Sequence, residues 1–118
     1  MNDNDIYEVA FNRVKDLANS RDISASKIVV LVILTIRAVE SVSNNNIDGS
    51  AKKKVVIRIV SEWINTIGQF NNEDHQYLND IFITQILDGL IDSLCDFNIE
   101  HIIKTCFQSF LSCIKKSQ

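Results

Sequence analysis

The near absence of turn-forming residues is the sequence feature that most constrains the fold: 118 residues include no proline and only three glycines. Turn-rich β proteins use both residues, because tight turns need a positive φ or a φ that is already fixed. Helices joined by polar caps need neither. The composition therefore predicts an all-α protein, and 46% hydrophobic with 23% charged residues is typical of a globular domain.

Apolar residues recur at three- and four-residue spacing in five segments, which are separated by breaks that carry Asn, Ser or Asp. The predicted helices cover residues 5–19, 24–43, 50–68, 73–96 and 98–115, with a bend or break near Asn79 in the fourth. The prediction is a compact bundle of about five helices, forming a single domain over residues 1–118.

Polar residues at the segment boundaries are the predicted helix caps. Ser24 and Asn98 stand at the starts of the second and fifth segments, and Asn71 or Asn72 precedes the fourth. Gly68 follows the third segment, where a C-terminal glycine cap is expected.

Residues 28–34 are apolar on every side, which fits either a fully buried helix or a buried strand, since β-branched residues favour strands. Arg37 and Glu40 continue the segment at helical spacing, and an isolated strand would have no partner. We therefore favour a helix.

The fifth segment separates into an apolar and a polar half more cleanly than the others. Its apolar half consists of Ile102, Ile103, Cys106, Phe107, Phe110, Leu111, Cys113 and Ile114. Lys104, Lys115 and Lys116 lie on the polar half, a pattern that also occurs in helices at membrane surfaces. Packing as an outer helix of the bundle is the favoured interpretation.

Charge and cysteine content bear on partners and location. A net charge of −3 and a sequence pI of about 5.2 argue against nucleic-acid binding, which needs a positive field. Three cysteines fit reduced thiols in a cytoplasmic protein better than a disulfide framework. The polar, acidic start predicts no signal peptide, and the longest apolar run is far shorter than the roughly 20 residues that cross a bilayer.

The sequence predicts no catalytic residue, no metal site and no cofactor. Cys106 and Cys113 stand seven residues apart, roughly 10 Å along a helix, which is too far for one zinc ion. His101 and Cys106 share a helical face poorly, and no GxxxxGK[ST] or GxGxxG loop occurs. We expect a protein that is not an enzyme.

Lys52, Lys53 and Lys54, with Arg58 one turn later, form the most unusual charge feature and are named here the basic patch. Cations at a helix N-terminus oppose the helix dipole, at a cost of a few tenths of a kcal/mol. One interpretation is a contact with an acidic protein surface, a phosphate or an anionic headgroup. The other is a solvated helix tip beside a flexible loop.

Three stretches carry a resemblance to known proteins. They are Ile36-Arg37-Ala38-Val39-Glu40, then Gly49-Ser50-Ala51-Lys52-Lys53-Lys54-Val55-Val56-Ile57, and Leu87-Asp88-Gly89-Leu90-Ile91-Asp92-Ser93-Leu94. This cadence is similar to small helical proteins of large nucleocytoplasmic DNA viruses, in which a glycine followed by lysines opens one helix. The resemblance, over roughly residues 28–96, implies a capsid or particle component, located in the host cytoplasm or the virion.

A second resemblance concerns the outline of the fold. An all-helical domain of this size around one very apolar helix is similar to Bcl-2-like proteins, which bind an amphipathic helix in a groove. The Asn-Trp-Gly-Arg signature of that family is absent, and Glu62-Trp63-Ile64 is a poor substitute.

The functional prediction is a non-enzymatic structural or protein-interaction module, a virion-associated or assembly component that forms a homo-oligomer. The basic patch is its expected polar contact. The alternative is a Bcl-2-like helix-binding regulator, a viral inhibitor of host cell death.

Overall fold

Helices account for the architecture of the computed structural model, which describes residues 3–19, 23–43 and 48–96. The elements are α1 (Asp3–Asn19), a 3₁₀ turn (Ala25–Lys27), α2 (Ile28–Ser43), α3 (Gly49–Thr66), α4 (Asn72–Tyr77), a π-helical segment (Leu78–Ile86) and α5 (Leu87–Asp96). Because the last three are continuous, the described residues form four helical segments and no strand. The all-α prediction is confirmed. The count differs from the predicted five, and the predicted helix at 98–115 lies outside the described residues.

Helix α2 lies at the centre of the hydrophobic core. Six consecutive residues, 31–36, are buried, and α1 and α3 both pack against this helix. Within the run, the Thr35 hydroxyl donates a 2.7 Å hydrogen bond to the Leu31 carbonyl, so its polar atom is satisfied inside the helix. The helical interpretation of residues 28–34 is confirmed. Val29 is exposed and Val30 half-buried, and from Leu31 onward continuous burial replaces the usual amphipathic pattern.

Helices α1 and α3 each bury one face against this centre. In α1 the buried residues recur every four positions: Ile6, Ala10, Val14 and Ala18. In α3 the buried set is Val55, Val56, Ile59, Val60, Trp63 and Ile64, with Ile67 half-buried. The apolar spacing from Val55 to Ile67 predicts this face of α3, and the structure confirms it.

The sequence predicted the capping residue at some helix starts and not at others. Asn71 Oδ1 accepts a 2.7 Å bond from the Asp74 amide, which confirms this cap. Ser24 is the N-cap residue of the 3₁₀ turn that leads into α2, as predicted, but its side chain makes no capping hydrogen bond. Its hydroxyl contacts that of Ser26, and its carbonyl accepts from the Lys27 amide. Asp48 caps α3 by accepting a 2.8 Å bond from the Ala51 amide.

Gly68 follows α3 as predicted, but for a different physical reason. Its φ lies outside the left-handed region, so positive φ does not explain the glycine. A Cβ at this position would lie 2.3 Å from Cε2 of Phe70 and 3.0 Å from Cζ3 of Trp63. The Gly68 amide donates to the Trp63 carbonyl at 2.8 Å and so brings the backbone close to that ring.

The fourth segment does not break near Asn79. Its hydrogen bonding changes from α to π at Leu78, and the π stretch closes when the Leu87 amide bonds to the Phe82 carbonyl. This five-residue step keeps Phe82 and Leu87 on the core side together, followed by Ile91 and Leu94. The extra residue per turn is therefore absorbed inside a continuous helix.

Candidate functional site

Lys52 of the basic patch is engaged within the protein. Its Nζ atom lies 3.1 Å from Oε2 of Glu40, an ion pair that joins the start of α3 to α2. The Lys52 side chain is 16% exposed, so the helix surfaces cover most of it. This lysine fastens two helices together rather than projecting freely into solvent.

Lys53 joins α3 to α5. Its Nζ atom lies 2.9 Å from carboxylate oxygens of both Asp88 and Asp92, which stand one turn apart on α5. The hydrogen bonds to Asp88 and then to Asp92 raise the pKa of Lys53 above its ordinary value. The charged form is thus favoured in the folded protein.

Arg58 joins α3 to α1. Its guanidinium lies 3.8 Å from the centre of the Tyr7 ring, and Nη1 donates a 3.2 Å bond to Oδ1 of Asn4. Burial raises the pKa of Tyr7, with a smaller contribution from the nearby carboxylate of Glu62, while the charge of Arg58 opposes that rise.

Lys54 is the one member of the basic patch that is exposed and makes no hydrogen bond or ion pair with the described residues. The four cations predicted as one contact surface therefore have separate roles. Three hold neighbouring helices, and Lys54 alone of the four makes no such link within the described part of the chain. The sequence shows the cations, but their partners come from distant parts of the chain.

A groove of about 310 Å³ lies between α2, α3 and α5. Its walls are largely apolar, formed by Ile36, Val39, Val56 and Ile91. Lys52, Lys53, Glu40, Asp92 and Cys95 also line it. A ligand with an apolar body would fit this lining.

A polar cluster lies where the π stretch begins. The His75 Nε2 atom is 3.1 Å from both Oδ1 of Asn65 and Nδ2 of Asn79, and the Asn65 amide donates to Oδ1 of Asn79 at 3.1 Å. Asn79 also donates to the His75 carbonyl. These contacts link the end of α3 to the start of the fourth segment. Sequence reasoning did not identify the cluster, because its members come from two helices.

An apolar row lies on the outer face of the fourth segment. Tyr77, Ile81 and Ile86 are 46%, 40% and 39% exposed, and Leu90 is partly buried. The steps of four, five and four residues keep this row on one face, because the middle step spans the π stretch. We name these four residues the apolar stripe.

The remaining candidate metal ligands and nucleophiles lie partly within and partly outside the described residues. Cys95 is exposed at the end of α5, whereas Cys106, Cys113 and His101 lie outside the described residues. Among residues 3–19, 23–43 and 48–96, no group of three or more His, Cys, Asp or Glu could hold a metal ion. In the same ranges, no helix is long and apolar enough to cross a membrane.

No protein-family model, curated protein or solved structure shows a significant match to this chain.

Proposed function

We propose that this protein is a non-enzymatic interaction module, and that the apolar stripe is its contact surface for self-association or for docking to a larger assembly. The exposure of three large apolar side chains in one row supports this proposal. Covering the exposed part of one such side chain contributes about 0.5–1 kcal/mol. The hydrophobic effect therefore favours a partner surface that covers the stripe.

Lys54 is the polar contact in this proposal. Replacing Lys52 or Lys53 would break an ion pair inside the bundle, whereas replacing Lys54 breaks none with the described residues. Lys54→Glu should therefore weaken partner binding and leave the thermal midpoint unchanged. Unchanged binding would remove Lys54 from the contact.

Solution mass tests the role of the stripe. Light scattering under reducing conditions, over a wide concentration range, should show an oligomer that Ile81→Asp dissociates. Val29→Asp is the matched control, because Val29 is also 40% exposed but belongs to α2. A monomer at every concentration, or equal dissociation by both variants, would contradict self-association through the stripe.

The environment of His75 supports the non-enzymatic class. Its Nε2 atom faces two asparagine side chains, which are neither nucleophiles nor acids. A thiol reagent at neutral pH tests this class through Cys95. Slow labelling is expected, whereas fast stoichiometric labelling would indicate an activated nucleophile.

A second candidate function rests on the groove between α2, α3 and α5. Its apolar walls and charged surroundings suit an amphipathic helix of another protein, as in a Bcl-2-like regulator. Titration with labelled amphipathic peptides tests it. Saturable binding would support this function, and the absence of saturation would exclude it.

The proposed setting is a viral particle or the host cytoplasm, and the sequence resemblance to small helical proteins of large nucleocytoplasmic DNA viruses supports it. Fractionation of purified particles tests this setting. Recovery with the capsid shell would agree with an assembly component, and recovery only with host cytoplasm would contradict it.

A further inference from the structure

We propose that the partner of the apolar stripe is a basic amphipathic helix of another protein, one that carries lysine or arginine beside its apolar face. This inference rests on the proposed function, because it takes the stripe to be the contact surface. It adds the chemistry of the partner that docks there.

The charge of the fourth segment has one sign. Residues 72–96 include no lysine or arginine, and Glu73 and Asp80 are exposed. Glu73 stands four residues before Tyr77 and Asp80 three residues after it, so both carboxylates lie beside the start of the stripe. Neither forms an ion pair with the described residues, unlike the α5 carboxylates that bind Lys53. The exposed charge beside the stripe is therefore negative.

These carboxylates discriminate between the possible occupants. They repel the phosphates of nucleic acids and of anionic lipid headgroups. The stripe of a second copy brings no cation, because its own fourth segment has none. A helix with cations beside its apolar row places opposite charges next to Glu73 and Asp80 while it covers the apolar side chains. Charge complementarity therefore favours a basic helix.

The shape of the stripe suits a helical partner. Tyr77 and Leu90 stand thirteen residues apart, which is about 20 Å, or nearly four turns, along a helix. In an uninterrupted α-helix the step from Ile81 to Ile86 would turn the second side chain about 140° from the first. The π stretch between them keeps both on one face, and π turns are frequent at functional sites. The result is one row of apolar anchors, as in the recognition of amphipathic helices.

Gly89 leaves room for the backbone of a partner helix. It lies inside α5, is exposed, and a Cβ built on it would meet nothing within 4 Å. Gly89 stands three residues after Ile86, and Ser93 three residues after Leu90, so both small residues lie beside the stripe. Glycine inside a helix is less favourable than alanine. Close approach of a second helix gives this glycine a role, because the distance between packed helices depends on the side chains at their contact.

Two synthetic helical peptides of about 18 residues test the proposal by fluorescence anisotropy with the full chain. Both carry leucines at three- and four-residue spacing, and they differ only in having lysine or glutamate at the flanking positions. The lysine peptide should bind saturably, and about fivefold or more tightly than the glutamate peptide. Added salt should narrow this difference, because it screens exposed charges. Equal affinities of the two peptides would overturn the proposal.

Substitutions at exposed apolar positions locate the binding site. Ile81→Gln removes an apolar contact without adding a charge, and it should weaken binding of the lysine peptide about three- to tenfold. Val29→Gln is the matched control, because Val29 is also 40% exposed but belongs to α2, and it should leave the affinity unchanged. Circular dichroism confirms that each variant folds. Binding that persists at full strength in Ile81→Gln would overturn the proposal.

Charge reversal tests the carboxylates directly. Asp80→Lys should weaken binding of the lysine peptide and strengthen that of the glutamate peptide. Asp16→Lys is the matched control, because Asp16 is also exposed and its replacement changes the net charge equally, but it belongs to α1. It should leave the ratio of the two affinities unchanged. Equal effects of the two variants would overturn the proposal, because net charge alone would then select the peptide.

Light scattering without peptide separates this inference from the proposed function. An oligomer that Ile81→Gln dissociates, together with no peptide binding, would overturn the inference, because a second copy would then cover the stripe, and the proposed function would stand. Equal binding of both peptides that Ile81→Gln weakens would likewise overturn only the inference. A monomer that binds neither peptide would contradict the inference and the proposed function together.

Discussion

The guanidinium of Arg58 covers the face of the Tyr7 ring at 3.8 Å, so that a cation of α3 lies against an aromatic ring of α1. An exposed cation–π contact contributes about 0.5–1 kcal/mol. Arg58→Met should lower the free energy of unfolding by about this amount. A double-mutant cycle with Tyr7→Leu measures the coupling by urea denaturation, and additive losses would show that the two side chains do not stabilise each other.

Replacement of Lys53 tests the link between α3 and α5. Lys53→Met should lower stability at neutral pH, because Asp88 and Asp92 lose their shared cation. Lys54→Met is the control, since Lys54 has no partner among the described residues. Equal urea midpoints for the two variants would contradict the link.

The pH dependence of that difference follows from the raised pKa of Lys53. A lysine whose pKa is higher in the folded state stabilises fully below its unfolded pKa, about 10.4, and loses the contribution as pH rises through the folded value. The stability gap between wild type and Lys53→Met should therefore close above pH 10.4. Urea midpoints measured from pH 7 to 11 check this, and a gap that widens would contradict it.

Gly68 is expected to tolerate no larger residue. A methyl group there would overlap the ring of Phe70, so Gly68→Ala should destabilise by about 1–3 kcal/mol. Gly49→Ala is the matched control, because a Cβ at Gly49 meets open space. Thermal denaturation provides the measurement. Phe70→Leu should relieve part of the loss, and a full loss in that background would place the strain elsewhere.

Trp63 should tolerate phenylalanine. The Trp63 side chain is buried, and its Nε1 atom has no hydrogen-bond partner among the described residues. Trp63→Phe removes this unpaired donor, which offsets part of the lost packing, so a loss of about 1 kcal/mol or less is expected. Trp63→Ala should cost about 3–5 kcal/mol. Similar losses in the two variants would show that the indole nitrogen is satisfied.

The features that the sequence predicted are those that local patterns determine. The buried face of α3 follows from residue spacing alone, and Asn71 is a good cap wherever it precedes a helix. In α1 the spacing predicts Ile6, Ala10 and Val14 correctly, but it also places Val9 and Leu17 on the buried face, and both are exposed. The five-residue separation of Phe82 and Leu87 also indicates a π-helical turn. A 3.6-residue periodicity places both residues on one broad face and therefore does not reveal this five-residue step.

The parts that sequence reasoning missed depend on distant partners. Lys53 pairs with Asp92, 39 residues away, so the basic patch could be recognised as unusual but not as a set of internal links. The role of Gly68 depends on how Phe70 turns back onto Trp63. Residue spacing marks Tyr77, Ile81, Ile86 and Leu90 only as apolar positions of the fourth segment, and the packing shows which of these side chains stay outside the core.

The three links from α3 also bear on chain topology. Apolar faces alone permit several winding orders, because one aliphatic surface packs against another with little discrimination. Lys52, Lys53 and Arg58 each have an acceptor on a different helix: α2, α5 and α1. Exchanging two of these helices, or reversing the handedness of the bundle, would separate cations from their acceptors. The links therefore penalise mirror-related arrangements that would bury a similar amount of hydrocarbon.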